Sequence, residues 1–308
     1  MKNNQPLIND LENIATEAQN PDTLDIDLLD SLALVKKINN EDKKVAIAVE
    51  LMLPKVAQAV DKIVKAFKLG GRLVYLGAGT SGRLGVLDAV ECPPTFSVSD
   101  QQVLGIIAGG TQAIFKAVEG AEDDTEQALE DLKKLSFNNK DVLVGIAASG
   151  RTPYVVAAMK YAKSLGAVVV GISCSPAQKV ALLADIDLCV EVGAEVLTGS
   201  TRMKSATAQK MILNMLSTAS MIRSGKSYRN LMVDVNASNE KLYARSVRIV
   251  MQATGCDQQT SIEALKHANN SAKLAVLLVL TGVSVEQGEA MLEKSNGFLR
   301  KAVNDLCL

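Results

Sequence analysis

The sequence predicts an α/β protein with a mainly parallel sheet, followed by a small module built only of helices. Three observations predict it. Short apolar runs of strand length alternate with stretches of helical periodicity over most of the chain. Two of those runs open into similar turns rich in glycine and hydroxyl groups, each followed by a helix. Beyond Gln252 the strand signals stop and only helical periodicity remains.

Residues 1–40 are polar, with a helical turn or two at Leu32 to Ile38. Asn40 before Glu41 and Asp42 has the form of an N-cap with acids in the first turn. Val45, Val49, Met52, Val56, Val60, Ile63, Val64 and Phe67 then recur at helical spacing, and Pro54 is expected to kink or split that helix. Gly70-Gly71 ends it. The run Leu73-Val74-Tyr75-Leu76 is a strand, the stretch Gly77 to Gly82 a tight turn, and Leu84 to Val90 a helix predicted to stop at Glu91-Cys92-Pro93-Pro94. Val103 to Ala108 is a second strand, Ala113 to Val118 is helical, and Glu122-Asp123-Asp124 opens a helix reaching Leu135.

An internal echo follows. Val142 to Gly145 leads into Ala148-Ser149-Gly150-Arg151-Thr152, so Ser149-Gly150-Arg151 repeats Ser81-Gly82-Arg83 with Gly145 matched to Gly77. Parallel strands ending this way would direct both turns at one site, where open α/β sheets bind ligands. Further strands are predicted at Val168 to Ile172 and Leu188 to Val192, and a long helix capped by Ser200 or Thr201 closes near Gly225. Three helical stretches complete the chain, with breaks near Asn269 and Gly282. The division is an N-terminal helical extension over 1–45, a sheet domain over 46–251 and a helical bundle over 252–308.

The first turn has the form of an anion site. Glycine permits positive φ and close approach, and the free N–H groups of a helix start attract phosphate. Gly77-x-Gly79-x-x-Gly82 also spells the dinucleotide fingerprint, but Asp88 and Glu91 come too early to be its ribose-binding acid. A nucleotide P-loop is excluded because Arg83-Leu84 stands where Lys-Ser/Thr is required.

Composition narrows the chemistry. A net charge of −1 without basic runs gives no reason for nucleic-acid binding. No apolar segment has the length of a membrane helix, the first residues do not form a signal peptide, and the expected location is cytoplasmic. The five scattered cysteines read as reduced thiols. The single histidine, His267, sits in a polar helical context, so proton transfers would run on carboxylates, lysine or tyrosine.

The Gly-x-Gly-Thr-Ser-Gly turn, the Ala-Ser-Gly-x-Thr turn and Gly-Ser-Thr-Arg at 199–202 resemble a sugar isomerase (SIS) domain, which implies a doubly wound sheet and phosphosugar binding. More narrowly, LGAGTSGRLGVLDAVECPPTF, VEGAEDD, GIAASGRTPYV, GISCSP, TGSTRMKSATAQKMILNMLST and NLMVDVNASNEKL resemble the N-acetylmuramic acid 6-phosphate etherase family from about Ile38 onward. The C-terminal module resembles that family's ubiquitin-associated-like bundle. The resemblance implies cleavage of the D-lactyl ether by elimination and rehydration in cell-wall recycling, with no metal or organic cofactor.

By motif position the family's catalytic glutamates fall on Glu91, the proton donor, and Glu122, taken as the base. Substrate contacts fall on Gly79, Thr80, Ser81, Ser149, Gly150, Thr152, Ser200 and Thr201. A predicted helix end at Glu91 disfavours its charge and suits an acid; a predicted helix start at Glu122 favours the carboxylate, with Asp123 and Asp124 opposing. The hydroxyls serve equally as helix caps. Arg83 and Arg151 are equally served by surface acids and are not assigned to the ligand. Glu195 is a third carboxylate without an assigned role. The rival functions are a phosphosugar aldose–ketose isomerase and a non-enzymatic phosphosugar sensor. Related phosphosugar proteins pair their sheet domains, so a homodimer is expected.

Overall fold

A computed structural model describes residues 14–176, 178–235 and 240–305. Five parallel strands, β1 (Leu73–Gly77), β2 (Val103–Ile107), β3 (Val142–Ile146), β4 (Val168–Ser173) and β5 (Ile186–Cys189), form one sheet in the order β2-β1-β3-β4-β5. The five expected strands are all present; β5 alone is displaced, starting at Ile186 and ending at Cys189. The winding direction reverses between β1 and β3, the point at which such sheets bind ligands outside the strand ends.

Alternate residues of the strands serve opposite faces. Val74, Leu76, Leu143 and Val169 share a buried cluster with Leu132 of α5 (Thr125–Lys134) and with Tyr154, Val155 and Met159 of α6 (Pro153–Ser164). On the other face, the Tyr75 hydroxyl donates to Asp88 at 2.9 Å on α3 (Gly79–Phe96) and approaches the Leu213 carbonyl at 3.5 Å on α8 (Lys204–Ile222). Burial on both faces explains why the strands read as continuous apolar runs.

The helices before the sheet split where proline predicts. Helix α1 (Ser31–Glu50) ends before α2 (Leu53–Lys68), which carries Pro54 in its first turn, where a missing N–H costs nothing. The start differs from expectation. Asp30, not Asn40, is the cap, accepting the Ala33 N–H at 2.7 Å, and α1 runs unbroken through Asn39-Asn40. Helix α3 also overruns its predicted end, continuing through Pro93 and Pro94 to Phe96. Short helices α4 (Gln112–Phe115) and α7 (Lys179–Leu183) complete the sheet unit.

The chain divides into two compact units, one of residues up to 89 with 101–217, the other of 90–100 with 218 onward. The second holds α9 (Glu240–Thr254), α10 (Gln258–His267), α11 (Ala272–Thr281), α12 (Val285–Lys294) and α13 (Leu299–Asn304). Leu265, Ala275, Val276, Leu277 and Leu299 form its core. Asp257, Ser271 and Ser284 cap the starts of α10, α11 and α12, and Gly282 ends α11 in the left-handed conformation. Among the described residues four helices follow Gly255 rather than three, because Asn296 and Gly297, both at positive φ, make a further break. Among the described residues no single helix is long and apolar enough to cross a membrane.

Candidate active site

The turn after β1 is shaped by two glycines packed on each other. A Cβ on Gly77 would lie 2.8 Å from the Gly82 nitrogen, and one on Gly82 would lie 2.7 Å from the Gly77 oxygen. Only Gly79 between them takes positive φ, at 52°. Helix α3 therefore starts at once, with Thr80 and Ser81 already inside its first turn.

The echo between the two turns is consequently not an equivalence of position. The register pairs Gly77 with Ile146 and Leu76 with Gly145, one residue off the sequence match. After β3 a loop runs on to Pro153 before α6 begins, so Ser149 stands on the loop while Ser81 stands in a helix. The Ser81 hydroxyl is buried and donates to Gln209 Oε1 at 2.9 Å. Ser149 remains half-buried, its oxygen accepting the Arg151 N–H at 3.3 Å. Thr152 is the N-cap residue of α6, but its hydroxyl makes no cap hydrogen bond. Gly150 takes φ of 68° and packs so closely on Gln178 that a Cβ would lie 2.6 Å from it.

Glu122 stands in the wall of two adjoining cavities. One, of about 200 Å³, is lined by Gly79 and Arg83 from the β1 side and by Glu119, Gly120 and Glu122. The other, of about 360 Å³, is lined by Ser149, Arg151, Thr152, Lys179, Glu17 and Glu122. Glu122 lies on a short 3-10 turn (Ala121–Asp123) entered through Gly120 at φ 73°. It precedes helix α5, whose cap is Asp124, accepting the Gln127 N–H at 2.9 Å. The predicted helix-start position is thus corrected: the first-turn stabilisation belongs to Glu126, and Glu122 is an exposed turn residue.

Ser200 and Thr201 are half-buried in the turn before α8. They line neither cavity. The neighbouring Gly199 reaches the second cavity's wall, since a Cβ there would lie 2.9 Å from the Glu17 carboxylate. Neither residue caps α8: the helix begins at Lys204, where Glu195 accepts the Lys204 and Ser205 N–H groups, each at 2.9 Å. Sequence reasoning missed this cap because it reaches back nine residues, outside any local capping pattern.

Glu91 is exposed on α3, about 15 Å along the helix axis from Ser81 at 1.5 Å per residue. It belongs to the second unit and lines neither cavity. Because α3 extends to Phe96, Glu91 is not in its last turn, and the predicted dipole argument for an acid does not apply. Among the described residues no group of three or more His, Cys, Asp or Glu side chains could hold a metal ion.

Parallel strands, a switch point between β1 and β3, and hydroxyl-bearing turns beyond their ends define a SIS-domain protein. A SIS domain model matches residues 111–219, the N-terminal SIS domain of glucokinase regulatory protein matches 55–163, and that protein's C-terminal lid domain matches 229–273. Within that class the chain belongs to the N-acetylmuramic acid 6-phosphate etherase family. It is 66% identical to the etherase of Colwellia psychrerythraea over 98% of both chains. It is 60% identical to that of Pseudoalteromonas atlantica over 97% of both. Among solved structures, a phosphoheptose isomerase from Francisella tularensis overlays with a TM-score of 0.49 at 18% identity, over 63% of this chain and all of its own.

Proposed function

We propose that this chain cleaves the D-lactyl ether of N-acetylmuramic acid 6-phosphate, giving N-acetylglucosamine 6-phosphate and D-lactate, in amino-sugar recycling from the cell wall. Glu122 removes the C2 proton of the open-chain aldehyde. The C3–O bond breaks, Glu91 protonates the departing lactate oxygen, a role that rests on its place in the family motif because Glu91 lines neither cavity, and water adds back across C2 and C3. Ser149, Gly150 and Thr152, with Gly79, Thr80, Ser81, Ser200 and Thr201, form the substrate's surroundings. The observation that carries this reading is the position of Glu122, which lines one cavity with Gly79 of the β1 turn and another with Ser149 and Thr152. The full-length family match supports the same reaction.

The isomerase alternative would require Glu195 to work on substrate, and its oxygens are occupied by the start of α8. A cytoplasmic location and a homodimer are part of the proposal, and the exposed Leu28, Leu32 and Val35 on and beside α1 support the pairing.

The test is release of D-lactate from N-acetylmuramic acid 6-phosphate by the purified protein without added metal. Glu122→Ala is expected to abolish it and Glu91→Ala to slow it. Absence of lactate from the unaltered protein, with a thermal shift on adding the phosphosugar, would replace the etherase by a sensor.

A further inference from the structure

We propose that Arg83 recognises the carboxylate of the lactyl group and is the residue that selects an acid-bearing ether. The proposal rests on the etherase reading. Arg83 lies one turn into α3 and lines the smaller cavity together with Gly79 and Glu122. Among the described residues it is the only cationic side chain lining that cavity. Its Nε donates to the Ile114 carbonyl at 3.0 Å, which fixes the guanidinium plane. Among the described residues it forms no ion pair, although Glu119 and Glu122 line the same cavity. A half-buried arginine held at Nε, with its two Nη groups unspent, presents the fork that carboxylates accept in bidentate fashion.

The chemistry of the substrate supplies the partner. It carries two anions, a phosphate on C6 and a carboxylate on the substituent of C3, so that the C3–O bond to be broken lies between them and C2 is the next carbon along. The wall holding Glu122 separates two cavities in the same sense. The larger has Ser149 and Thr152 with Arg151 and Lys179, hydroxyl and cationic groups that can take phosphate, on a wall that also carries Glu17 and Asp123. The smaller has Arg83. Phosphate in the first and carboxylate in the second set the C2 proton beside Glu122.

The experiment compares kcat/KM for N-acetylmuramic acid 6-phosphate with that for the 3-O-ethyl ether of N-acetylglucosamine 6-phosphate, which lacks the carboxylate. The intrinsic difference in leaving group cancels when the ratio is compared between proteins. Arg83→Met is expected to reduce the lactyl-to-ethyl preference by about 10- to 100-fold, the worth of a charge-assisted hydrogen-bonded contact. Arg83→Lys, which keeps the charge and the fold but not the fork, retains part of the preference. Inhibition by added D-lactate weakens in the same order. An unchanged ratio in both variants, or an equal loss on both ethers, would overturn the assignment and leave Arg83 as a brace for Ile114. Failure of the unaltered protein to release lactate would overturn the etherase reading itself, and the Arg83 assignment with it.

Discussion

One oxygen of the Glu195 carboxylate accepts both the N–H and the hydroxyl of Ser205, at 2.9 and 2.8 Å, in a fully buried setting. The other oxygen takes the Lys204 N–H. A carboxylate so placed neutralises the positive end of α8 and orders the turn that carries Ser200 and Thr201. Glu195→Gln replaces one acceptor oxygen by a donor and is expected to cost about 1–3 kcal/mol of stability. Turnover at temperatures where the variant stays folded should remain within several-fold of the unaltered protein. Thermal melts read beside lactate release check this, and a thousand-fold loss of kcat at unchanged melting temperature would return Glu195 to the chemistry.

Lys204 contributes a second buried interaction, its ammonium 2.7 Å from Glu41 on α1. Burial works against the Glu41 charge, but hydrogen bonds from Lys204 and Lys44, with Asn20, outweigh it and hold the pKa below its ordinary 4.5. The folded value being the lower one, the stabilisation is fully present above the ordinary pKa and disappears as pH falls through the folded value. Glu41→Gln leaves an unpaired buried ammonium and is expected to cost about 3–5 kcal/mol near neutral pH. Glu41→Gln combined with Lys204→Met should recover much of that. Denaturant midpoints from pH 7 down to pH 3 measure both, and the single variant should lose the part of the acid dependence that Glu41 contributes.

Exchange at C2 separates the two glutamates. In deuterated water, Glu122→Ala is expected to abolish both solvent exchange at C2 and lactate release. Glu91→Ala should slow lactate departure while leaving measurable exchange. Mass spectrometry of recovered substrate decides, and unaltered exchange in Glu122→Ala would remove that residue from the role of base.

Gly82→Ala tests the contact behind the first turn. The added methyl would lie 2.6 Å from Ile107 Cγ1 and 2.7 Å from the Gly77 oxygen, so α3 must back away from β1. A loss of about 1–3 kcal/mol is expected from overpacking, read by denaturant unfolding.

The sheet was legible because each strand is buried on both faces and reads as an uninterrupted apolar run, Val142-Leu143-Val144 above all. Local rules failed where packing overrode them. Asn40 looks like a cap, yet the helix passes through it because Glu41, Val45 and Val49 beyond it all lie buried. Pro93 and Pro94 look like a stop, yet Cys92 and Phe96 are both buried and the helical turn between them persists. The reach from Glu195 to Lys204 is tertiary and left no pattern to read. At the candidate site, the motifs located the turns, but not which hydroxyls stay open. Ser81 and Ser149 share a tripeptide, and only the different onset of their helices sends one into the interior.

The paired glycines at 77 and 82 carry a wider meaning for reading sequences. Here the helix begins almost at once after its strand, and the two residues that would collide carry no side chains for that reason alone, whatever the protein binds. The outer glycines of a G-x-G-x-x-G spelling therefore measure how tightly a helix seats over its strand. Only the middle one, here Gly79 at the mouth of a cavity, carries information about a guest. A search that weights all three alike will gather nucleotide enzymes and phosphosugar enzymes together, because what they share at the outer positions is steric.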